Sequence, residues 1–443
     1  MIFAKGQILP DTALPEVLSG LEADINAART SLTLDPETVI SAIEGLGEKL
    51  DSGALDALLA QYASPKMLSA LEDIRPQLTR EALEYKIRTE LPPQSRFARQ
   101  LPPEGEAKAP SVGFADSSPG GGAEISTKTV PLGTLFHVTA GNVAGLPAFS
   151  AVEGLLTGNV NLIKLPRSDK GLTLAILSQL VEVEPRLAPF LYAFDVPSSD
   201  TKTMGALAQL ADGLVVWGGD EAVRACRALA PVGCKLMEWG HRLSFAYIAG
   251  FEDMDGELTA LARHVVDTGG LLCSSCQVIY LDTDDLEQGK AFCRKFLPIL
   301  EGASNVPQPI GQSGQRTLYA YEAWLEHIVD HPHRDAEFFR GVGCSLTLCR
   351  DGELELSPLN GNVLVKCLPR ERLLSTLRRE KGHLQTAGLL CAPGDRGLLT
   401  DLLCRAGVTR VTRAGSMSRT FRGENHDGEY SLRRYIRSVD IEQ

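Results

Sequence analysis

Short β-branched or apolar runs alternate with helix-like segments across the middle of this sequence, and this alternation constrains the fold more than any other feature. The helix-like segments carry apolar residues at the helical period. They are Leu172–Val183, Lys202–Ala211 and Glu221–Leu229. The strand-like runs are Val130–Val138, Val160–Leu165, Leu191–Val196, Leu214–Trp217 and Cys234–Trp239. Strand and helix in alternation predict a parallel sheet with covered faces, which is a doubly wound α/β design.

The rest of the chain divides by composition. Residues 11–90 are rich in Leu, Ala and Glu at helical spacing, and the sequence then shifts to Pro, Gly and Ser. A second α/β block follows from Phe245, with a helix predicted over Leu286–Leu300. We therefore predict five segments. They are a helical N-terminal region (1–90), a linker (91–123), a first α/β domain (124–246), a second α/β domain (247–425) and a C-terminal segment (426–443).

Composition and charge narrow the classes of partner. The net charge of −12 and the pI near 5.3 argue against nucleic acid or an anionic membrane surface, because both require clustered Lys and Arg. The sequence has no apolar run of about 18 residues that could span a membrane, and it reaches Asp11 before a signal-peptide core could form. We expect a cytoplasmic protein whose ten cysteines are reduced.

Cys273 is the candidate nucleophile. It follows the flexible pair Gly269-Gly270 and precedes the strand-like run Gln277–Leu281, so a turn displays its thiol. Most cysteines in such a chain are small core residues, so placement alone is weak evidence. Cys273 and Cys276 also form a Cys-x-x-Cys pair, but no second pair with matching spacing follows, and we predict no metal site.

Three further positions follow predicted strands, where a doubly wound sheet binds its ligands. Asn142 either caps the next helix or donates its amide to a developing oxyanion. Lys164 either faces solvent or binds a ribose hydroxyl or a phosphate. Gly218 and Gly219 separate a strand from a helix, as in sites where backbone amides approach a pyrophosphate, although they do not form a Gly-x-Gly-x-x-Gly pattern.

Glu238 is a carboxylate in an otherwise apolar run that ends at Gly240. An unpaired charge in such a run is costly. Glu238 is therefore either held in a structural salt bridge or has a pKa raised for a functional purpose.

The order of these residues, from Asn142 to Cys273, resembles the aldehyde dehydrogenase superfamily. Within it the sequence is most similar to the acyl-CoA reductases of the bacterial luminescence fatty-acid reductase (LuxC-like) type, whose nucleophile lies in a turn like Cys273-Ser274-Ser275. The likeness extends from about Glu124 to the end of the sequence. Further matching segments are Pro131-Leu132-Gly133, Gly158-Asn159, Ser357-Pro358-Leu359-Asn360 and His426-Asp427-Gly428.

The resemblance implies an aldehyde-dehydrogenase-like α/β fold with two doubly wound domains, of which 124–246 binds the dinucleotide and 247–425 is catalytic. It implies that Cys273 is the nucleophile and that Asn142, with the backbone amide of Cys273, forms the oxyanion hole. Glu355 resembles the glutamate that contacts the nicotinamide ribose, although it lies one residue closer to Pro358 than is usual. The residues implied to line the dinucleotide are Thr139, Lys164, Ser168, Gly218 and Gly219.

The activity implied is NADPH-dependent reduction of a fatty acyl-CoA, or of another activated acyl group, to the aldehyde. The acyl group passes through a thioester on Cys273, with CoA as the leaving group. One alternative is an aldehyde dehydrogenase that forms acids, in which Glu238 activates water. Another is a non-catalytic subunit that accepts acyl groups on Cys273 from a synthetase.

NADPH is preferred over NADH, which is the alternative, because Arg167 and Lys164 offer positive charge near the adenosine ribose. Asp169 could instead bind the 2′-hydroxyl of NADH. The resemblance further implies an acyl-protein synthetase as a possible partner, to which the N-terminal helical region could dock. It also implies a homo-oligomer, assembled through an arm formed by Ile125–Thr129 and Tyr435–Ile441.

Overall fold

The computed structural model describes residues 1–62, 75–91, 125–141, 144–305, 318–319, 321–322, 324–325 and 336–442. The chain divides into two compact units. Unit 1 consists of Met1–Gly240 and Thr420–Gln443, and unit 2 consists of His241–Arg419. Each unit contains one seven-stranded sheet. The fold is the aldehyde-dehydrogenase-like α/β architecture.

Unit 1 carries its strands in both of its chain segments. The strands are β1 (Ile2–Ala4), β2 (Gln7–Leu9), β3 (Ile125–Pro131), β4 (Thr134–Val138), β5 (Val160–Lys164), β6 (Leu191–Phe194), β7 (Gly213–Trp217), β8 (Lys235–Trp239) and, after residue 420, β16 (Ile436–Glu442). The large sheet has the order β2-β1-β6-β5-β4-β7-β8. The strands from β6 to β8 are parallel. This order, which reverses at β4, is that of a dinucleotide-binding sheet.

The helices of unit 1 agree closely with the periodicity of the sequence. They are α1 (Leu14–Ser31), α2 (Pro36–Asp51), α3 (Asp56–Tyr62), α4 (Arg80–Glu90), α5 (Leu146–Leu156), α6 (Leu172–Val183), α7 (Thr201–Gln209), α8 (Asp220–Leu229) and α13 (Ser431–Arg434). α6 has the bounds predicted, and α7 and α8 begin one residue before theirs. A side chain caps several helices, as where Asp35 accepts a hydrogen bond of 2.7 Å from the Thr38 amide at the start of α2.

The N-terminal region, predicted as helical over residues 1–90, belongs to unit 1 and contains two short strands beside its helices. Its first residues form the β1–β2 hairpin, and Ile2 of β1 pairs with Phe194 of β6. Ile25 of α1 and Ile40 of α2 lie in the same hydrophobic core as Leu162 of β5. The N-terminal helices bury their apolar faces against the sheet layer, so they have no core of their own. The predicted linker lies outside the described residues, apart from Leu91.

β3 and β16 pair with each other as a separate antiparallel sheet, in register from Ile125 with Glu442 to Pro131 with Ile436. The two segments predicted to form an arm therefore lie side by side. Most residues of β16 are exposed. Whether this ribbon mediates oligomerisation remains a prediction.

Unit 2 repeats the strand–helix alternation. Its elements are β9 (Leu243–Ile248), α9 (Met254–Thr268), β10 (Cys276–Leu281), α10 (Leu286–Ser304), β11 (Ala336–Arg340), β12 (Ser345–Cys349), β13 (Asn362–Cys367), α11 (Arg370–Leu377), β14 (Leu384–Leu390), α12 (Arg396–Ala406) and β15 (Arg410–Thr412). The sheet order is β11-β12-β13-β10-β9-β14-β15, and only β11 pairs antiparallel. Hydrophobic cores cover both of its faces, which explains why its strands read as continuous apolar runs.

Two predicted boundaries differ from the structure. The boundary between residues 246 and 247 falls inside β9, which lies in the middle of the unit 2 sheet. The return to unit 1 occurs at Thr420 rather than at residue 426. Strand β9 has the same apolar composition as the strands before it, so the sequence carries no sign of the change of sheet. In the part of the chain that is described, no helix is both long enough and apolar enough to cross a bilayer.

Candidate active site

Cys273 lies in a tight turn between α9 and β10, which we call the Cys273 turn and define as Leu271–Cys276. Of the ten cysteines, Cys273 and Cys404 are exposed. The others are core residues, apart from the half-buried Cys234. α9 ends at Gly269, whose φ of +58° is left-handed, and Gly270 follows with a φ of +79°. Two glycines at this point let the chain reverse direction into β10 without strain.

Hydrogen bonds fix the backbone of this turn. The Ser275 amide donates to the Leu272 carbonyl at 3.0 Å, and the Leu272 amide donates to Ser275 Oγ at 3.0 Å. Ser244, at the start of β9, donates its hydroxyl to the Cys273 carbonyl at 2.7 Å. Ser274 Oγ and Ser418 Oγ lie 2.7 Å apart. The thiol is therefore presented on a backbone that distant segments of unit 2 hold in place.

His264, on α9, supports the same turn from inside. Its Nε2 accepts a hydrogen bond of 3.2 Å from the Cys276 amide. Burial lowers the pKa of His264 to about 4, so the ring is neutral near pH 7 and its Nε2 lone pair is available as an acceptor. Burial also raises the pKa of the Cys276 thiol to about 12, so Cys276 is a core residue without thiolate character.

Glu355 is held by a buried lysine. Lys366, on β13, has no exposed side-chain surface, and its Nζ lies 2.6 Å from Glu355 Oε1. The same Nζ forms an ion pair with Asp351. Glu355 retains about a third of its side-chain exposure, at 32 %. Its carboxylate is therefore held by Lys366 and remains partly exposed.

The residues implied to line a dinucleotide lie together at one edge of the unit 1 sheet. Thr139, Lys164, Gly218 and Gly219 are all at or just after the carboxyl ends of parallel strands. Thr139 Oγ1 donates to the Lys164 carbonyl at 3.2 Å, and Ser168 Oγ donates to the Gly141 carbonyl at 2.9 Å. These bonds join the loops that follow β4 and β5. This edge is where doubly wound sheets bind their ligands.

Lys164 is a buried cation at that edge. Its side chain is only 7 % exposed, and burial lowers its pKa. No carboxylate among the described residues lies within ion-pair distance of its ammonium, and the charge of Asp195 acts on it from further away. A buried charge of this kind is costly unless something pairs with it. Lys164 is therefore suited to bind an anionic or hydroxyl-rich ligand.

Gly218 and Gly219 bring the backbone close to the same edge. The Gly218 amide donates to the Trp239 carbonyl at 3.1 Å, so it is already satisfied. Gly219 precedes the first residue of α8, and a Cβ added there would meet no atom within 4 Å. A ligand can therefore approach the backbone at the start of α8. The acidic Asp220 and Glu221 in the first turn of α8 make this helix start less favourable for a phosphate.

Asp169 is buried, and its carboxylate is bound by the backbone. Its carboxylate accepts hydrogen bonds from the amides of Gly171 at 3.2 Å and Thr173 at 3.1 Å, at the start of α6. Burial raises its pKa, and these bonds act in the opposite direction. Arg167, two residues earlier, is exposed. The carboxylate of Asp169 is thus bound at the start of α6, whereas the side chain of Arg167 is accessible to a ligand.

Glu238 forms an ion pair with Arg227 of α8. The guanidinium donates to both carboxylate oxygens, at 2.5 Å and 2.7 Å. This pairing lowers the pKa of Glu238. Glu238 is therefore held in a structural salt bridge, which is one of the two interpretations that the sequence allows.

The predicted oxyanion residue Asn142 lies outside the described residues. In the described part of the chain, no cluster of His, Cys, Asp and Glu is arranged to hold a metal ion.

Similarity to known proteins agrees with this geometry. The model of one protein family, described as acyl-CoA reductase (LuxC), matches residues 35–438. The chain belongs to this family. Among curated members, the long-chain acyl-protein thioester reductase of Photorhabdus luminescens is 26% identical over 331 residues, which cover 72% of this chain and 66% of that protein. The enzyme of the same name from Aliivibrio fischeri is 26% identical over 337 residues, covering 71% and 65%. The chain thus matches slightly less than two thirds of the length of these acyl-CoA reductase relatives.

Solved structures place this acyl-CoA reductase family member in the aldehyde dehydrogenase fold. Aldehyde dehydrogenase 21 from Physcomitrella patens superposes with a TM-score of 0.67 at 12% identity, covering 98% of this chain and 90% of that one. An NAD-dependent benzaldehyde dehydrogenase from Corynebacterium glutamicum gives 0.63 at 15% identity, covering 96% and 89%. These identities are low, so they establish the fold alone.

The residues that support Cys273 and Glu355 were not predicted from the sequence. Ser244, His264, Gln277 and Lys366 are all buried polar residues inside apolar strands or helices. A polar residue inside an apolar segment can be noticed in the sequence, and such a residue, when buried, must have a hydrogen-bond partner. The sequence does not identify that hydrogen-bond partner, because the partner lies elsewhere in the chain.

Proposed function

We propose that this protein reduces an activated fatty acyl group to the aldehyde, through a thioester on Cys273 and with NADPH as the electron donor. The observation that carries the proposal is the exposed Cys273 thiol on a turn fixed by buried hydrogen bonds. It occurs in a chain of the acyl-CoA reductase family that has a dinucleotide-type sheet. Membership of this family supports an oxidoreductase that acts on acyl thioesters.

The residues of unit 1 suit a nicotinamide dinucleotide. Lys164 is a buried cation in need of a ligand, and the space beside Gly219 admits one. Arg167 supports NADPH over NADH, because its charge is accessible near Lys164, whereas the carboxylate of Asp169 is taken up by α6. Thr139, Ser168 and Glu355 complete the set that we propose to contact the cofactor. A reduced nicotinamide, when bound, supplies a hydride.

The chemistry at Cys273 then has three parts. Its thiolate attacks the acyl carbonyl carbon, and the bond from that carbon to the sulfur of CoA breaks. The proton lost by the Cys273 thiol balances the CoA thiolate that leaves. Reduction of the acyl-cysteine thioester gives a thiohemiacetal, which expels the Cys273 thiolate and releases the aldehyde. We propose that Asn142 and the Cys273 amide stabilise the oxyanions. Overall, acyl-CoA, NADPH and one proton give aldehyde, CoA and NADP⁺.

The acyl donor is either acyl-CoA or an acylated protein. The curated relatives are named acyl-protein thioester reductases, which supports delivery of the acyl group by a partner synthetase. We further propose that the β3–β16 ribbon contributes to a homo-oligomer, since most of β16 is exposed. A reducing compartment such as the cytoplasm fits a protein that depends on a cysteine thiol.

The first test is loss of NADPH absorbance with acyl-CoA thioesters of several chain lengths, with trapping of the aldehyde. Cys273→Ala should abolish turnover, and Cys404→Ala, which removes the other exposed thiol, should leave it unchanged. No aldehyde from any thioester, with NADPH still bound, would favour the non-catalytic acyl-accepting role or a protein-bound acyl donor.

Glu238 separates reduction from the acid-forming alternative. A base that activates water against the thioester is essential to an aldehyde dehydrogenase, whereas a reductase does not use that step. The Arg227 ion pair lowers the pKa of Glu238, which makes it a weaker base and supports the reductase. Glu238→Gln should leave aldehyde formation within about threefold of wild type, where losing a general base typically costs about 10² or more. Accumulation of acyl-enzyme in this variant during aldehyde oxidation would support the alternative.

A further inference from the structure

Gln277 occupies a junction between the Cys273 turn and a second loop of unit 2. It is the second residue of β10 and is only 2 % exposed. Its Nε2 donates to the Gly270 carbonyl at 2.9 Å. Its Oε1 accepts from both the amide and the hydroxyl of Ser357, at 3.1 Å and 2.9 Å. One buried amide therefore joins Gly270, the residue before the Cys273 turn, to the segment that begins at Ser357.

That segment, which we call the 357–361 loop, is strained and closely fixed. Leu359, Asn360 and Gly361 have positive φ values of 67°, 51° and 90°. Positive φ is rare for a leucine and persists only where the surroundings enforce it. The Asn360 amide donates to the Gly269 carbonyl at 2.8 Å, so the two loops also meet directly. Backbone strain of this kind concentrates at functional sites.

We infer that Gln277 is a positioning residue for Cys273, because its amide fixes the base of the Cys273 turn against the 357–361 loop. The bond from Gln277 to Gly270 closes a ring of chain that contains Cys273, so it limits the movement of the backbone that carries the thiol. The bond to Ser357 connects this ring to a segment that begins two residues after Glu355. Gln277 thus links the proposed nucleophile to the proposed ribose contact without touching substrate itself.

This inference rests on the proposed role of Cys273 as nucleophile, but one of its two readouts, alkylation, does not need the acyl substrate. The rate of alkylation by iodoacetamide, followed by mass spectrometry of the Cys273 peptide, reports directly on how the thiol is presented. Cys404, on α12, is the other exposed cysteine and serves as an internal reference in the same sample. A ratio of the two rates cancels differences in reagent concentration between samples.

Gln277→Met keeps the length of the side chain and removes all three hydrogen bonds. Displacing a reactive group by about 1 Å can cost about 10²-fold in rate. We expect at least a tenfold fall in the rate at which acyl-CoA acylates Cys273, and a change in the Cys273-to-Cys404 alkylation ratio across pH 6 to 9. An unchanged ratio and acylation rate, with only a lower melting temperature, would show a purely structural role and overturn the inference.

Ser357→Ala provides a milder variant if Gln277→Met does not fold. It removes only the hydroxyl bond and leaves the Ser357 amide and the Gly270 bond in place. We expect a smaller loss of Cys273 acylation, about threefold, in the same direction. Wild-type acylation and alkylation in this variant, together with failed folding of Gln277→Met, would count against the inference.

Gln277→Glu tests the donor to Gly270 separately. A protonated carboxyl group can donate to the Gly270 carbonyl and accept from Ser357, whereas the ionised form cannot donate. Cys273 alkylation relative to wild type should therefore recover as the pH falls, and a ratio independent of pH would contradict this. If no acyl thioester is reduced at all while these alkylation effects appear, the proposed substrate fails and the positioning role stands.

Discussion

Substitution of Arg167 tests directly whether the protein prefers NADPH over NADH. It is exposed two residues before Asp169, whose carboxylate is bound by backbone amides. A hydrogen bond to a charged group contributes about 1.5–3 kcal/mol, so Arg167→Glu should raise KM for NADPH about tenfold or more and change KM for NADH much less. Initial-rate kinetics with both nucleotides measure this. Lys202→Glu, a charge reversal at another exposed position, is the matched control, and equal effects in the two variants would refute the assignment.

Lys366 is a buried cation that holds the partly exposed carboxylate of Glu355. Its ammonium lies between Asp351 and Glu355, and both carboxylates retain some exposure. Lys366→Met removes this cation, and we expect a loss on the order of 2 kcal/mol of stability, reduced from the full cost of breaking a buried pair by solvent screening.

The same variant should raise KM for the nicotinamide cofactor, because the Glu355 carboxylate is no longer fixed. Urea unfolding and initial-rate kinetics check the two effects. Lys290→Met removes a surface cation that pairs with Glu287 and Glu337, and it should change stability little. A Lys366→Met enzyme with unchanged cofactor kinetics would disconnect Lys366 from Glu355.

At the scale of elements, the connection from α9 to β10 depends on glycine. Gly270 has a φ of +79°, and a Cβ there would lie 2.9 Å from Leu359 Cδ2. Gly270→Ala therefore adds backbone strain of about 1 kcal/mol and forces the Cys273 turn away from the 357–361 loop. Acylation of Cys273 should fall about 10²-fold.

Gly302, inside α10, provides the contrast. A Cβ there would meet nothing within 4 Å, so Gly302→Ala should stabilise the protein by about 0.5–1 kcal/mol and leave acylation unchanged. Thermal unfolding and acyl-enzyme formation distinguish the two variants. Equal stability and equal acylation rates in Gly270→Ala and Gly302→Ala would show that the left-handed conformation of Gly270 has no special role.

The elements that could be predicted are those whose signal is local. The sequence predicts α6 at Leu172–Val183 because one apolar stripe spans it, and β7 because it is a single apolar run. The β1–β2 hairpin was missed because its strands have three residues each, and β1 gains its place only by pairing with β6. The supports of Cys273 were missed for the same reason, since Ser244 and Ser418 lie far from it in sequence.

At the scale of the whole molecule, each unit contains a histidine that burial keeps neutral. Burial lowers the pKa of His137 in unit 1 and of His264 in unit 2 to about 4. An unfolded histidine has a pKa near 6.5, so the unfolded state binds more protons between pH 6.5 and 4, and stability falls as the pH falls through this window.

The expected loss at pH 5.5, relative to pH 7.5, is roughly 1 kcal/mol for each histidine. Urea unfolding at the two pH values measures it. His137→Gln removes one titrating ring while keeping polar contacts to Ser150 and Asn161, and it should reduce the pH dependence by about half. Equal or greater wild-type stability at pH 5.5 would contradict the prediction.

Unit 1 is assembled from two stretches of chain separated by the whole of unit 2. Ser431 donates its hydroxyl to Glu153 at 2.7 Å, and the Leu432 amide donates to Glu90 at 2.8 Å, around the buried ammonium of Lys86. During synthesis on the ribosome, at about 5–20 residues per second, the donors to Glu153 and Glu90 emerge roughly 14 to 70 seconds after these acceptors, because 278 and 342 residues separate the partners. Unit 2 is continuous in sequence and has no such wait. The half of the protein that is translated second is therefore the half that can finish folding first.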